Sequence, residues 1–188
     1  MFDVAIIGAG LAGGYLAQRL EGLDVLVIDK EPKVMPRDSG IVSTRFDHLF
    51  GKKFIKHEIT EMRLISENNS FLLNSDKPFA HILEREELLR HLRGKNVIYE
   101  NVKTVKIEKE KVTVTTDKDE HEARLVVGAD GPNSIVKRTL GIKQTKIFLG
   151  IMERTRKIES DIISVYFNKD YSKEFFAWVI PQNAEYGT

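Results

Sequence analysis

The spacing of apolar positions changes from one segment of the chain to the next, and each spacing predicts an element. Residues 2–8 (FDVAIIG) are nearly all apolar, as in a strand that is buried on both faces of a parallel sheet. Over residues 11–20 (LAGGYLAQRL) apolar side chains recur at helical spacing, and residues 24–29 (DVLVID) form a second apolar run. These three segments predict one strand–helix–strand unit of a parallel sheet.

The later segments predict mostly antiparallel structure. Short apolar runs between residues 46 and 80 predict strands that are inserted into the first domain. Residues 83–94 predict an amphipathic helix that ends at Gly94, because glycine is common just beyond a helix C-terminus. Further strands are expected at 97–99, in a meander over 102–116, and at 124–128, 146–154, 161–168 and 174–180. After the last strand come only Pro181 and a short polar turn, so we expect the front part of a longer protein, since that strand would otherwise lack a neighbour.

Composition and charge narrow the class of protein. Hydrophobic residues make up 41% and charged residues 30%, as in a globular protein, and a net charge of +1 argues against a nucleic-acid partner. The absence of cysteine excludes disulfides, thiolate metal sites and a cysteine nucleophile. The five histidines have no metal-ligand spacing, so no metal site is expected. The sequence shows neither a signal peptide nor an apolar run of about 20 residues, and a cytoplasmic protein is therefore expected.

The segment GAGLAG, between the first strand and the first helix, carries the strongest chemical signal. Gly8, Gly10 and Gly13 match the GxGxxG pattern, and the next strand ends in an acid, Asp29. In this pattern the first glycine permits a tight turn, the second lets a pyrophosphate approach the backbone, and the third lets helix and strand pack closely. The carboxylate of Asp29 would accept hydrogen bonds from a ribose diol. The motif predicts a dinucleotide without choosing between NAD and FAD.

A second motif, VVGADGPNSIVKR at residues 126–138, follows a predicted buried strand and places Asp130 and Gly131 in a turn. With GxGxxG about a hundred residues earlier, it resembles the DGxxSxxR motif of FAD-dependent oxidoreductases with the para-hydroxybenzoate hydroxylase-like fold. In that group the aspartate lies near the ribose side of the flavin, so the resemblance implies FAD as the cofactor. Lys137 stands where the family usually has arginine. The residues alone would also allow Asp130 to cap a strand-to-helix turn.

The same resemblance implies further cofactor contacts. The helix LEREELLRHL is similar to a family helix in which an arginine reaches FAD, here Arg85, although its charge spacing alone also allows a surface ion pair. By the same comparison, Val102 on the strand after this helix would present its backbone to the adenine end. The remaining implied cofactor contacts are Ala12, Lys30 and Gly40.

Within that fold the chain resembles the geranylgeranyl reductase family, notably the archaeal enzymes that saturate isoprenoid chains of membrane lipids. GAGLAG, the DG motif and the tail FFAWVIP carry this resemblance. It implies that Phe176, Trp178 and Pro181 wall a lipid pocket, whereas Trp178 taken alone would be an ordinary core aromatic. The sequence departs from the family in two respects. Many members have a cysteine in the stretch that corresponds to residues 36–43, and members run to about twice this length, with a later segment that completes the flavin site.

Together these patterns predict an α/β fold. A Rossmann-like GxGxxG FAD-binding domain, with a parallel sheet and an antiparallel meander, is expected to precede the beginning of a mainly antiparallel sheet of a substrate-binding domain. The FAD-binding domain is expected at residues 1–45 and 81–141, and the part of the substrate-binding domain at 46–80 and 142–188.

The resemblance implies an FAD-dependent oxidoreductase that reduces carbon–carbon double bonds of geranylgeranyl-type lipids by hydride transfer from reduced flavin. NAD(P)H or a ferredoxin is the candidate electron donor, and peripheral membrane contact is compatible with a lipid substrate. No catalytic side chain is singled out. Two alternatives remain open: an FAD- and NAD(P)H-dependent monooxygenase of aromatic or polyene substrates, and a truncated nucleotide-binding fragment without activity.

Overall fold

The computed structural model describes residues 1–94 and 96–188, and the chain divides into two compact units. Unit 1 comprises Met1–Pro36 and Arg85–Lys146, and unit 2 comprises Arg37–Glu84 and Ile147–Thr188. The divisions fall after residues 36, 84 and 146, whereas the sequence placed them after 45, 80 and 141. The first division lies earlier because Ile41–Ser43 forms a strand that pairs with Ala80–Leu83 of unit 2.

The predicted elements occur in the expected order, and the structure adds a strand at Ile41–Ser43, a short helix at Asp47–Phe50 and a strand at Glu185–Gly187. The strands are β1 (Phe2–Ile7), β2 (Val25–Asp29), β3 (Ile41–Ser43), β4 (Ile55–Ile59), β5 (Glu61–Ser66), β6 (Ser70–Asn74), β7 (Ala80–Leu83), β8 (Val97–Tyr99), β9 (Thr104–Ile107), β10 (Val112–Thr115), β11 (Glu120–Gly128), β12 (Met152–Arg154), β13 (Ile163–Phe167), β14 (Ala177–Ile180) and β15 (Glu185–Gly187). The helices are α1 (Leu11–Ala17), α2 (Asp47–Phe50), α3 (Arg85–Arg93) and α4 (Ile135–Thr139).

Unit 1 is built on a six-stranded sheet in the order β8–β2–β1–β11–β10–β9. The first four strands are parallel, and β10 and β9 continue the sheet as an antiparallel meander. Ala5 and Ile7 of β1 join one apolar cluster, while Val4 and Ile6 join another that includes Leu16 of α1. The first strand is therefore buried on both faces, and this confirms the parallel arrangement that its unbroken apolar run predicts.

Helix α3 ends where the sequence predicts. Gly94 follows its last residue with a φ of +61°, the left-handed conformation that glycine adopts without strain. On the face of α3 that packs into the core, Leu88, Leu89 and Leu92 are buried. The charged residues that gave this segment its polar character include Glu86 and Arg90, which form an exposed ion pair one turn apart.

Unit 2 contains a six-stranded sheet in the order β12–β15–β14–β13–β5–β6 and a three-stranded antiparallel sheet in the order β3–β7–β4. All neighbours in the larger sheet are antiparallel except β13 and β5, so the predicted, mainly antiparallel character is confirmed. Its core contains Ile59, Ile82, Ile163 and Ile180, with Trp178 packed against them. Among the helices of the described residues, none is long and apolar enough to cross a bilayer.

The end of the chain differs from the sequence-based expectation. Residues 174–180 were expected to form one strand whose edge would lack a neighbour, but β14 begins only at Ala177 and is followed by a further strand, β15. A short 3-10 turn over Pro181–Asn183 and a left-handed residue, Ala184 with φ +50°, reverse the chain, so β15 pairs with both β14 and β12. The sequence does not predict β15, because the strand has only three residues and the segment 182–188 is mostly polar.

Candidate cofactor site

The glycine turn after β1 is closely packed on two sides and open on a third. Gly8 has a φ of +102°, and a Cβ atom there would lie 2.3 Å from the carbonyl oxygen of Ala129. A Cβ at Gly13 would lie 1.9 Å from the carbonyl oxygen of Gly8. In contrast, a Cβ at Gly10 would meet no described atom within 4 Å. Gly8 and Gly13 are thus required by the fold, whereas the missing side chain of Gly10 leaves space beside the backbone.

Asp29 supports this turn from the neighbouring strand. It is the last residue of β2, and its Oδ2 accepts a hydrogen bond from the N–H of Ala9 at 2.7 Å while its Oδ1 accepts one from the N–H of Glu31 at 2.8 Å. Its side chain retains 14% exposure. A carboxylate offers about four acceptor positions, so each oxygen can accept a second hydrogen bond. Lys30, the next residue, is exposed.

The second motif flanks the turn from the other side. The Oδ2 of Asp130 accepts a hydrogen bond from the N–H of Ile135 at 2.6 Å, so the residue does cap the strand-to-helix turn. Its Oδ1 is buried and has no hydrogen-bond partner in the described part of the chain. Gly131 has a φ of +78°, and Ser134 caps α4 by accepting the N–H of Lys137 at 3.0 Å. One oxygen of Asp130 therefore serves the fold, and the other is an unpaired acceptor among the described residues.

These residues meet because β2, β1 and β11 are adjacent parallel strands. The glycine turn follows β1, Asp29 ends β2, and Ala129 and Asp130 follow β11. In open parallel sheets, ligands bind in the crevice outside the carboxyl ends of the strands. Unit 1 alone thus brings together four of the sequence-predicted positions: Gly8, Gly10, Asp29 and Asp130.

The segment that carries Val102 is also held beside β2, although not as a strand. The sequence predicted Val102 on a strand, and this is wrong. Val102 lies in the connection between β8 and β9, because β9 begins only at Thr104. The N–H of Glu100 donates to the carbonyl of Asp29 at 3.0 Å, and Glu100 Oε2 accepts a hydrogen bond from Thr116 at 2.7 Å and lies 3.0 Å from His121 Nε2. These contacts of His121 and Thr116 lower the pKa of Glu100 below its usual range.

The structure gives the locations of three other residues that are predicted to contact the cofactor. Ala12 is exposed on the first turn of α1, and Arg85 is the first residue of α3, with 8% exposure. Gly40 belongs to unit 2, where its φ is +71° and its N–H donates to Asp38 Oδ1 at 2.7 Å. Contact of each with a cofactor stays a prediction.

The predicted lipid-pocket residues belong to an aromatic cluster in unit 2. The ring of Phe176 stacks on Phe175 with a centroid distance of 3.9 Å and meets Trp178 edge-on at 6.4 Å. Trp178 also packs against the core, and its Nε1 is buried with no hydrogen-bond partner among the described residues. Pro181 opens the 3-10 turn before β15. Trp178 is thus a core aromatic, as it would be taken alone, and its role as a pocket wall stays a prediction.

Sequence reasoning missed Arg93, the last residue of α3. Its Nη2 lies 3.9 Å from Asp29 Oδ2, and its side chain is only 9% exposed. Helical spacing contains the signal, since Arg93 lies four residues after Leu89 and eight after Arg85, both of which are buried. Because the residue is charged, a position in solvent was the expected one instead.

The sequence profile of the lycopene cyclase protein family, a family of FAD-dependent oxidoreductases, matches residues 3–181. The chain belongs to this family. Relatives of this chain confirm the resemblance to geranylgeranyl reductases that the motifs predict. A geranylgeranyl diphosphate reductase of Rhodobacter capsulatus is 26% identical over 96% of this chain and 52% of its own length. Digeranylgeranylglycerophospholipid reductase 1 of Methanosphaera stadtmanae is 28% identical over the same shares.

Solved structures confirm the fold. The halogenase PltM, in complex with phloroglucinol and FAD, superposes on 99% of this chain and 51% of its own with a TM-score of 0.70 at 16% identity. At that identity the similarity concerns the fold alone. The chain spans about half the length of the curated relatives it matches.

Proposed function

We propose that this member of the lycopene cyclase protein family carries the FAD-binding part of a reductase that saturates carbon–carbon double bonds of geranylgeranyl-type isoprenoid lipids. The observation that carries the proposal is the open backbone at Gly10, which follows β1, with acceptors beyond the carboxyl ends of both neighbouring strands: Asp29 at the end of β2 and Asp130 after β11. The names of relatives that match nearly the whole chain support the substrate class.

The residues present fit the adenosine diphosphate part of FAD. The space beside Gly10 admits a pyrophosphate close to the backbone, and the first turn of α1, which is fully described, has no acidic side chain to oppose it. Asp29 has acceptor positions left for ribose hydroxyls. The buried Oδ1 of Asp130 gains a partner when a ligand donates to it, and this removes the cost of an unpaired buried acceptor.

When bound, FAD supplies the hydride chemistry, while the protein binds, orients and shields it. In unit 1 the groups that would bind and orient FAD are the backbone around Gly8–Gly10 and the carboxylates of Asp29 and Asp130. In unit 2 the rings of Phe175, Phe176 and Trp178 offer an apolar surface that suits a polyprenyl chain and excludes water.

Titration of FAD into the purified protein, with any residues that its gene encodes beyond this chain, tests the cofactor assignment. We expect saturable binding that ADP displaces, and FMN to bind at least about tenfold more weakly because it lacks the adenosine half. Gly10→Val should abolish FAD binding while leaving the far-ultraviolet circular dichroism spectrum unchanged, since its side chain enters open space. Equal affinity of the unchanged chain and Gly10→Val for FAD would refute the proposed cofactor site.

Anaerobic reduction of a geranylgeranyl lipid tests the substrate class. The protein, with any residues that its gene encodes beyond this chain, is reduced chemically and incubated with the lipid, and mass spectrometry should show the gain of two hydrogens for each double bond saturated. Rapid oxidation of NAD(P)H that requires oxygen and an aromatic substrate, without saturation of the lipid, would favour the monooxygenase instead.

A further inference from the structure

The guanidinium group of Arg93 joins two separate segments of unit 1. Its Nε donates to the carbonyl of Ala9 in the glycine turn at 3.3 Å. Its Nη1 donates to carbonyls in the segment after β2, with distances of 2.9 Å to Glu31, 3.4 Å to Pro32 and 3.2 Å to Lys33. Arginine alone among the side chains presents five donors in a rigid fork, so a single side chain can bridge several carbonyls in this way.

Asp29 joins the same two segments with the opposite charge. The N–H of Ala9 and the N–H of Glu31 both donate to its carboxylate, and Arg93 Nη2 lies 3.9 Å from its Oδ2. The peptide groups on both sides of Ala9 are therefore held, one by the acid and one by the base. Ala9 itself has no exposed surface. The pair also explains how a cation can be buried here, since a buried charge needs an opposite charge and satisfied hydrogen bonds.

The close approach of α1 and α3 places Arg93 at this position. A Cβ at Gly14 would lie 2.9 Å from both the Cβ and the carbonyl oxygen of Leu92, so the last turn of α3 can reach α1 only because residue 14 is glycine. Gln18 Nε2 donates to the carbonyl of His91 at 2.6 Å and fixes the same turn. The glycine that follows the GxGxxG pattern thus serves the approach of Arg93, not the nucleotide directly.

We propose that Arg93 is a positioning residue for the cofactor site, which orients Asp29 and the glycine turn for the adenosine half of FAD. The inference rests on the proposed function. Arg93 acts through Asp29 and Ala9, because its donors are directed to carbonyls of the protein. Loss of the guanidinium leaves Asp29 without its cation and frees the carbonyl of Ala9, so the site must order on binding, and the affinity for FAD falls accordingly.

Hydrogen exchange in the ligand-free chain tests the positioning role independently of FAD. We expect Arg93→Met to accelerate exchange of the Ala9 and Glu31 amides at least about tenfold relative to other amides of β1 and β2. Arg93→Lys should show an intermediate rate, since an ammonium can bond to fewer carbonyls. Arg90→Met serves as the matched control, because Arg90 lies on the same helix but is exposed and pairs only with Glu86 in the described contacts. Unchanged exchange at Ala9 and Glu31 in Arg93→Met would overturn the inference.

Affinity for FAD provides the second measurement. Arg93→Met should weaken binding roughly tenfold, the change that about 1.4 kcal/mol of lost pre-organisation produces. If Arg93 acts through Asp29, combining Arg93→Met with Asp29→Asn should weaken binding little more than Asp29→Asn alone, and additive losses would contradict this. Failure of the unchanged protein, with any residues that its gene encodes beyond this chain, to bind FAD removes the proposed function, whereas the exchange rates still decide whether Arg93 orders the turn.

Discussion

Replacement of two glycines of the same motif by alanine should affect the stability of unit 1 to very different extents. At Gly13 a Cβ would lie 1.9 Å from the carbonyl oxygen of Gly8 and 3.1 Å from the Cβ of Ala129, whereas at Gly10 it would meet no described atom within 4 Å. We therefore expect Gly13→Ala to destabilise unit 1 and Gly10→Ala to leave its stability nearly unchanged. Both variants should weaken binding of FAD, but only the first through the fold.

The magnitude for Gly13→Ala follows from the overlap. An ordinary contact begins near 3.4 Å, so α1 and the turn at Gly8 would have to move apart by about 1.5 Å, and both groups belong to the backbone. Overpacking of this kind typically costs about 1–3 kcal/mol, and a clash with backbone belongs at the upper end. The cost at Gly10 is smaller, because its φ of −74° is accessible to alanine and the N-cap preference for glycine over alanine is partly offset by lower entropy of the unfolded chain.

Equilibrium unfolding in urea measures this difference. With a slope of about 2 kcal/mol per molar urea, a loss of 3 kcal/mol lowers the midpoint by about 1.5 M. Circular dichroism follows the whole chain, while the fluorescence of the single tryptophan, Trp178, follows unit 2. We expect the circular dichroism transition of Gly13→Ala to move by about this amount, and that of Gly10→Ala by less than about 0.5 M.

A midpoint for Gly13→Ala within 0.3 M of the unchanged chain, roughly the uncertainty of such measurements, would refute the reasoning. It would mean that α1 can separate from the turn at little cost, and the structural assignment of the third glycine would have to be abandoned. Loss of stability in Gly10→Ala as large as in Gly13→Ala would equally show that residue 10 does not face open space.

Three further changes test neighbouring features. Glu100→Gln should lower stability at neutral pH, because the pKa of Glu100 is lowered in the folded state and its carboxylate therefore contributes to stability. That contribution is lost on protonation, so urea unfolding at a series of pH values should show the difference from the unchanged chain disappear well below about pH 4. A difference that persists at about pH 2 would contradict the role of the charge. Asp130→Asn should keep the hydrogen bond from the N–H of Ile135, so the thermal unfolding midpoint of the protein should not change. FAD titrations should show binding about tenfold weaker, since an amide nitrogen replaces the acceptor Oδ1. Unchanged affinity would show that Oδ1 does not belong to the site. Gly128→Ala places a Cβ 2.7 Å from that of Val136 and should cost about 1–3 kcal/mol in urea unfolding. The same change should cost less in a Val136→Gly background, which lacks the opposing Cβ; an equal cost there would place the strain elsewhere.

The sequence predicted unit 1 well because its signals are local. An apolar run, a glycine turn and a terminal acid define β1, α1 and β2, and the periodicity of residues 83–94 defines α3. The same signals placed Gly8, Gly10 and Asp29 at one edge of a sheet, since the carboxyl ends of adjacent parallel strands lie together.

Contacts between residues distant in sequence could not be predicted in this way. The end of α3 contacts α1 because Gly14 has no side chain, and only that contact brings Arg93 to Asp29 across more than sixty residues of sequence. β15 is another case, because three residues without an apolar pattern form a strand when β12 and β14 supply hydrogen bonds on both sides. Local preference is weak for such segments, and tertiary pairing decides them.

The requirements of the fold and of the ligand can be separated within GAGLAG. Gly8 and Gly13 are needed so that β1, α1 and the segment after β11 can pack, and this need exists whether or not a nucleotide binds. A chain that had lost its cofactor would therefore keep both glycines and still match most of the motif. Gly10 differs, because nothing in the described protein fills the space beside it, and packing alone gives no reason to exclude a side chain there. Among chains with this fold, a small residue at position 10 together with a buried acceptor at position 130 that has no protein partner is accordingly a better indicator of nucleotide binding than the glycine pattern as a whole. Both are present here, which favours a cofactor-binding chain over a fragment that binds nothing.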